Sequence, residues 1–156
     1  FIDVIGQVKK KGIPVHGLLI GEPHPRKQDF LKTLQKAIVE AGLGNDISLV
    51  GHRSDLREIM ALSDVVVSCS TEPEAFGRVT LEALTLGKPV AAYSHGGGKK
   101  KIDALLPAGK IIPGDTGAMA ECLCRWYHAP EKPQPNEDFT LQGMVEKIAS
   151  VYSKLL

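Results

Sequence analysis

The sequence predicts an α/β domain built on a parallel sheet with helices on both faces. Three observations predict it. Short apolar runs alternate with helix-like runs from one end of the chain to the other. The apolar runs lack period-two alternation, as strands buried on both faces do. Clusters of Gly, Pro, Asn and Asp punctuate the passages between them. Length and composition agree with one globular domain: 156 residues, 43% apolar and 24% charged. A formal net charge of +1 supplies no field that would mark a binder of nucleic acid or of a membrane surface. No apolar run approaches the roughly 18 residues of a membrane span, and no signal-peptide pattern is visible.

The chain opens in a helical pattern, with Phe1, Val4, Ile5 and Val8 at helical spacing and Lys9-Lys10-Lys11-Gly12 closing it. A helix that begins an α/β domain ordinarily follows a strand, so a first strand and an N-terminal part are expected ahead of Phe1. Residues 15–20 read as the next strand, ending at Gly21-Glu22-Pro23. Pro25 suits a first helical turn, and a helix is expected over 27–41 with Phe30, Leu31, Leu34, Ala37, Ile38 and Ala41 on one side. Gly42 and Gly44 punctuate its end. Residues 47–50 make a strand closed by Gly51-His52-Arg53, and 55–62 a short helix with Ser54 as candidate N-cap.

Residues 65–69 and 90–93 are the next two strands, flanking a helix over 78–86. A short helical segment is expected at 99–106 and an edge strand at 110–112. Asp115 or Thr116 can cap a helix over 117–127. Pro130, Pro133 and Pro135 make 128–138 a linker. A final helix at about 141–155 puts Met144, Ile148, Val151, Tyr152 and Leu155 on one side. Trp126 and Tyr127 read as packing residues.

Cys69 falls in an expected strand, where a thiol acts as a small hydrophobe. Cys122 and Cys124 lack the second ligand pair of a zinc site. Reduced thiols in a cytoplasmic setting, without metal, are the expectation. His16, His24 and His128 show no ligand spacing.

In open parallel sheets, ligands bind beyond the carboxyl ends of the strands. The turn Pro73-Glu74-Ala75-Phe76-Gly77-Arg78 joins a strand end to a helix start there. The free N–H groups of Phe76, Gly77 and Arg78 would face an anion, most often a phosphate, and Gly77 would admit it closely. A tight strand–helix turn explains Gly77 equally. Glu82 is the only charged residue between Arg78 and Lys88, on a helix apolar enough to be buried. A carboxylate there calls for a hydrogen-bonding ligand such as a vicinal diol, or else for an exposed face or a structural salt bridge. Glu74 sits at the lip of the same crevice. Paired carboxylates also suit glycoside hydrolysis, but that requires both at one anomeric carbon. Two hydroxyl-binding groups flanking a phosphate-binding turn fit a nucleotide diphosphate sugar better.

The stretch PEAFGRVTLEALTLGKPVAAYSHGG resembles the signature of the retaining glycosyltransferases of group 1, or family four, with the GT-B fold. Glu74 and Glu82, with seven residues between them, fall on the ends of that family's paired-glutamate motif. LVGHRSDLREIMALSDVVVSCST upstream, PAGKIIPGD downstream and the closing FTLQGMVEKIASVYSKLL resemble the family in order and spacing. The resemblance implies a Rossmann-like domain over 1–156, the C-terminal, donor-binding half of a two-domain enzyme. It implies a UDP-, GDP- or ADP-sugar as substrate, no cofactor and no metal. Glu74 would be the catalytic carboxylate, against hydroxyls of the transferred sugar, and Glu82 would hold the ribose. Phe76, Gly77, Arg78 and Gly97 would meet the diphosphate or sugar, and Arg53 would lie against the base through its main chain. The implied acceptor is a glycan or lipid reached through the N-terminal half, in surface polysaccharide or lipopolysaccharide synthesis. The implied setting is cytoplasmic, with the parent protein peripheral at the inner membrane face and no nucleic-acid partner.

Two departures stand out. The family's Arg and Lys that clamp the diphosphate would precede Phe1. The glutamate that often follows its paired glycines is replaced, because Gly96-Gly97-Gly98 runs into Lys99-Lys100-Lys101. Those lysines fit added phosphate binding or a solvated face. Gly98-Lys99 is no P-loop, since Tyr93 stands where its first glycine belongs. His95, beside the glycines, could donate to a sugar. The alternative function is a non-catalytic α/β binding module on the same scaffold. A phosphoacceptor domain would need an acidic cluster after the first strand, where only Glu22 stands.

Overall fold

The computed structural model describes residues 1–23 and 28–154. The expectations for His24, Pro25, Lys27 and Leu155 lie outside them. The chain runs α1 (Ile2–Lys10), β1 (Gly17–Ile20), α2 (Gln28–Glu40), β2 (Ile47–Gly51), α3 (Leu56–Leu62) and β3 (Val66–Ser68). It continues through α4 (Arg78–Thr85), β4 (Val90–Tyr93), α5 (Gly96–Leu105), a 3-10 turn (Pro107–Gly109), β5 (Lys110–Ile111), α6 (Thr116–His128) and α7 (Leu141–Tyr152).

Every strand pairing is parallel, in two pieces. β1 lies beside β2 with Gly17 opposite Ile47, and β4 lies between β3 and β5 with Val66 opposite Val90 and Ala92 opposite Lys110. Among the described residues no ladder joins the pieces, so β1, β2, β3 and β5 each keep one unpaired edge. β4 is buried throughout because both of its edges are paired and helices cover it.

Most boundaries follow the sequence pattern to within a residue or two. The main exception is α5, which begins at Gly96 rather than near Lys99. Three consecutive glycines disfavour helix, at about 1 kcal/mol each relative to Ala, and what they pack against here outweighs that cost. At α3 the N-cap is Asp55 rather than Ser54, and its carboxylate caps nothing because Arg53 holds it. Asp115 caps α6 as the sequence indicates, accepting from the Ala118 N–H at 2.8 Å.

The larger core gathers Val4 and Val8 of α1, Ala83 and Leu84 of α4, all of β4, Ile102 of α5 and Met119 and Trp126 of α6. A smaller one joins Ile5, Ile38, Leu43 and Ile47 beside β1 and β2. Trp126 is buried, but Tyr127 is exposed, against the expectation that both pack. α7 buries none of its residues. Among the described residues no helix is long and apolar enough to cross a membrane.

Cys122 lies in the larger core, with Sγ 3.6 Å from the Ala108 carbonyl, and burial pushes its thiol pKa from 9.0 up to about 11. At about pH 8 the folded protein should therefore alkylate at Cys69 and Cys124 and spare Cys122 until it unfolds, as mass spectrometry of labelled peptides would read. The unfolded thiol ionises first. Stability tied to the protonated Cys122 is thus complete below pH 9.0 and is lost as pH rises toward about 11. Cys122→Ala should flatten that alkaline fall in urea-unfolding midpoints.

Candidate functional site

The parallel ends of β3 and β4 open on a cleft lined by Ser68, Ser70, Glu74, Thr80, Tyr93 and His95. Its floor is tight, about 10 Å³, room for one water at most. A larger ligand would therefore lie on the rim. The rim is the turn of residues 73–77, which leads directly into α4.

Two backbones meet there. The first turn of α5 lies against this turn, and the Gly97 N–H donates to the Glu74 carbonyl at 2.7 Å. A Cβ on Gly97 would stand 2.5 Å from the Ala75 carbonyl oxygen and from the Phe76 carbonyl carbon. A Cβ on Gly96 would stand 2.5 Å from the Glu74 carbonyl oxygen, and one on Gly77 would stand 2.7 Å from the Gly98 Cα. Gly77 also carries φ +72 as the N-cap of α4, a conformation that L side chains rarely adopt. Having no side chain, it leaves the first amides of α4 without a cap. Among the described residues the N–H groups of Phe76, Gly77 and Arg78 have no acceptor. Unpaired amides at the positive end of a helix are an anion site in waiting.

One cation stands behind this turn. Lys101, 3% exposed, donates to the Phe76 carbonyl and, at 3.1 Å, to the Gly97 carbonyl. Its Nζ lies 3.7 Å from the centroid of the Phe76 ring. Burial, with Lys100 nearby, holds its pKa below the ordinary lysine range.

Glu74 lines the strand-end cleft, but Glu82 does not. Glu82 is on an exposed face of α4, paired with Arg78 at 3.3 Å, so its helix is not buried all round as its apolar composition implied. It borders a separate cavity of about 540 Å³ between α3, α4 and residues 136–140, with Arg57, Met60, Thr85 and Phe139. The two glutamates thus approach the start of α4 from different sides. Arg53 pairs with Asp55 at the surface, with Nε to Oδ1 at 2.7 Å. That hydrogen bond raises the pKa of Arg53 and lowers that of Asp55. His95 Nε2 meets the Ser70 carbonyl at 2.8 Å, while its Nδ1 is buried without a partner. Burial raises the pKa of Tyr93 beside it.

A family model described as "Glycosyl transferases group 1" matches residues 1–135. The chain belongs to that family. Among curated relatives of this group 1 domain, the alpha-D-kanosaminyltransferase of Streptomyces kanamyceticus is 24% identical over 99% of the chain and 42% of its own length. The 2-deoxystreptamine glucosyltransferase of the same organism is 25% identical over 83% of the chain and 32% of its own length. The fold matches that of HepE from Anabaena, solved in complex with UDP, with a TM-score of 0.83 and 27% identity over 97% of this chain and 44% of HepE. It is the fold of the C-terminal half of a GT-B glycosyltransferase. The chain spans less than half the length of these relatives.

The sequence presents Lys101 only as one of three consecutive lysines, fit for added phosphate binding or a solvated face. With α5 begun at Gly96, Lys101 falls on the face of Gly98, Ile102 and Leu105, where a lysine is out of place. That spacing was the available signal.

Backbone cannot rotate away from an added methyl, so Gly97→Ala should cost about 2 kcal/mol or more in urea unfolding. Gly44→Ala, which meets open space, should change stability by less than about 1 kcal/mol.

Proposed function

We propose that this domain binds the donor of a retaining glycosyltransferase, which moves a sugar from a nucleotide diphosphate sugar to a glycan or lipid-linked acceptor. The acceptor reading points to surface polysaccharide or lipopolysaccharide synthesis. One observation carries the donor reading: the N–H groups of Phe76, Gly77 and Arg78, without an acceptor among the described residues, lead into α4 at the edge of the cleft that Glu74 lines. The UDP held by HepE, a relative of the same fold, supports it.

In this reading the diphosphate rests on the amide turn, and the transferred sugar extends toward Glu74 over the narrow cleft. The ribose reaches Glu82, which lies about 6 Å along α4 from Arg78 at 1.5 Å rise per residue. The base runs along the main chain at Arg53. The amides and the helix dipole stabilise charge that grows on the departing diphosphate. Transfer proceeds with retention, by front-face displacement without an enzyme base. Glu74 orients the reacting sugar through its hydroxyls, and Gly97 keeps the loop close. The remaining basic groups of a diphosphate clamp come from a longer protein that also carries the acceptor half. The domain alone then binds nucleotide weakly and transfers no sugar.

Titration calorimetry of this chain with UDP, GDP and ADP tests the proposal. One of the three should bind, and Glu82→Ala should weaken it about tenfold by removing a charged hydrogen-bond acceptor. Glu74→Ala should leave the free nucleotide unaffected and weaken only the nucleotide sugar. No binding by any of the three would favour the non-catalytic module.

A further inference from the structure

A buried charge is ordinarily paired with an opposite one, because leaving water is costly. Lys101 breaks that rule. It is 3% exposed, and among the described residues no carboxylate forms a salt bridge with it. Its ammonium instead meets two carbonyl oxygens, those of Phe76 and Gly97, and two aromatic faces. The Phe76 centroid lies at 3.7 Å and the Phe139 centroid at 5.4 Å. Oxygens and ring faces solvate a cation without neutralising it.

The two carbonyls belong to the two segments that meet at the rim. Phe76 lies in the turn before α4 and Gly97 in the first turn of α5. A trans peptide plane whose C=O is held on one side presents its own N–H toward the other. The Phe76 carbonyl carbon is bonded to the Gly77 nitrogen, so fixing that oxygen fixes the Gly77 N–H as well.

We propose that Lys101 is the positioning residue of the anion-binding turn, and that the phosphates of the bound ligand supply its missing counter-charge. Its ammonium holds the Phe76 and Gly97 carbonyls on the protein side and so leaves the Gly77 N–H, at the centre of the unpaired Phe76–Arg78 amides, toward the ligand. Its uncompensated charge adds to the amide dipoles one peptide plane away. The ligand side of this inference rests on the donor-binding reading of the same turn; the positioning side rests on the free protein alone. The lowered lysine pKa agrees with a cation that lacks a partner in the unliganded domain.

Two variants of this chain separate the roles. Lys101→Met keeps the stem and removes the charge and the donors, whereas Lys101→Gln keeps a donor and removes the charge. With both folded by circular dichroism, amide exchange at Gly97 and calorimetry with UDP, pyrophosphate and uridine give the readouts. Lys101→Met should speed Gly97 exchange and weaken UDP and pyrophosphate by about tenfold each, the scale of a lost charged hydrogen bond. Uridine, which carries no phosphate, should bind Lys101→Met as it binds the wild type. Lys101→Gln should recover Gly97 protection without recovering anion affinity. Unchanged Gly97 exchange in folded Lys101→Met would overturn the positioning role, and wild-type anion affinity in Lys101→Gln would overturn the charge role. If the wild type binds neither UDP nor pyrophosphate, the donor-binding reading fails, and Gly97 exchange alone decides the positioning role.

Discussion

The site depends on one contact between two stretches of main chain. The turn before α4 and the first turn of α5 approach so closely that a single Cβ at Gly77, Gly96 or Gly97 would stand within 2.7 Å of backbone atoms. Few protein contacts are less negotiable, since backbone has no rotamers with which to yield. The glycines that allow it are poor helix formers, so α5 begins where its own propensity opposes a helix. Local preference is overridden because the tertiary contact ties Gly97 to Glu74 and lets Lys101 reach both segments.

The electrostatics follow from that contact. Docking α5 against the turn uses the Gly97 N–H on the Glu74 carbonyl, and the N–H groups of Phe76, Gly77 and Arg78 have no acceptor among the described residues. The helix that opens on the cleft is thus α4, uncapped at Gly77, with Glu74 at one side and the Arg78–Glu82 pair at the other. The cleft floor is nearly filled, and the spacious cavity belongs to the groove between α3 and α4. A ligand of the proposed kind therefore lies across the start of α4 rather than sinking into either hollow. Arg78, largely exposed, is free to leave Glu82 and follow a phosphate, since an exposed helical pair contributes only about 0.3–0.5 kcal/mol.

How much of this could be read from the sequence varies with the physics involved. β4 was legible because Val90–Tyr93 is a short apolar run bounded by Gly-Lys-Pro and by Ser-His-Gly, and burial on both faces leaves that signature. α6 was legible from Asp115 and its helical spacing. The turn at Phe76–Arg78 was legible from a strand end, a glycine and a helix start in succession. The start of α5 was not, because three glycines argue against helix and only contact with a distant segment decides otherwise. The burial of Lys101 was hidden for the same reason: a lysine among lysines cannot be told from Lys99 and Lys100 until the helix face is known. The exposed, ion-paired setting of Glu82 was one of the alternatives its sequence left open. Its apolar neighbours bury one side of α4, and composition alone does not say how far round the helix the burial extends.

The proposed resting place of a nucleotide diphosphate is the amide turn between β3 and α4, held against α5. Amide chemical-shift mapping of the chain titrated with UDP tests it most directly, residue by residue. The largest shifts should fall at Phe76, Gly77 and Arg78, with Gly97 and Ser70 moving beside them. Shifts confined to Met60, Thr85 and Asn136 in the α3–α4 cavity, with the turn unmoved, would contradict it.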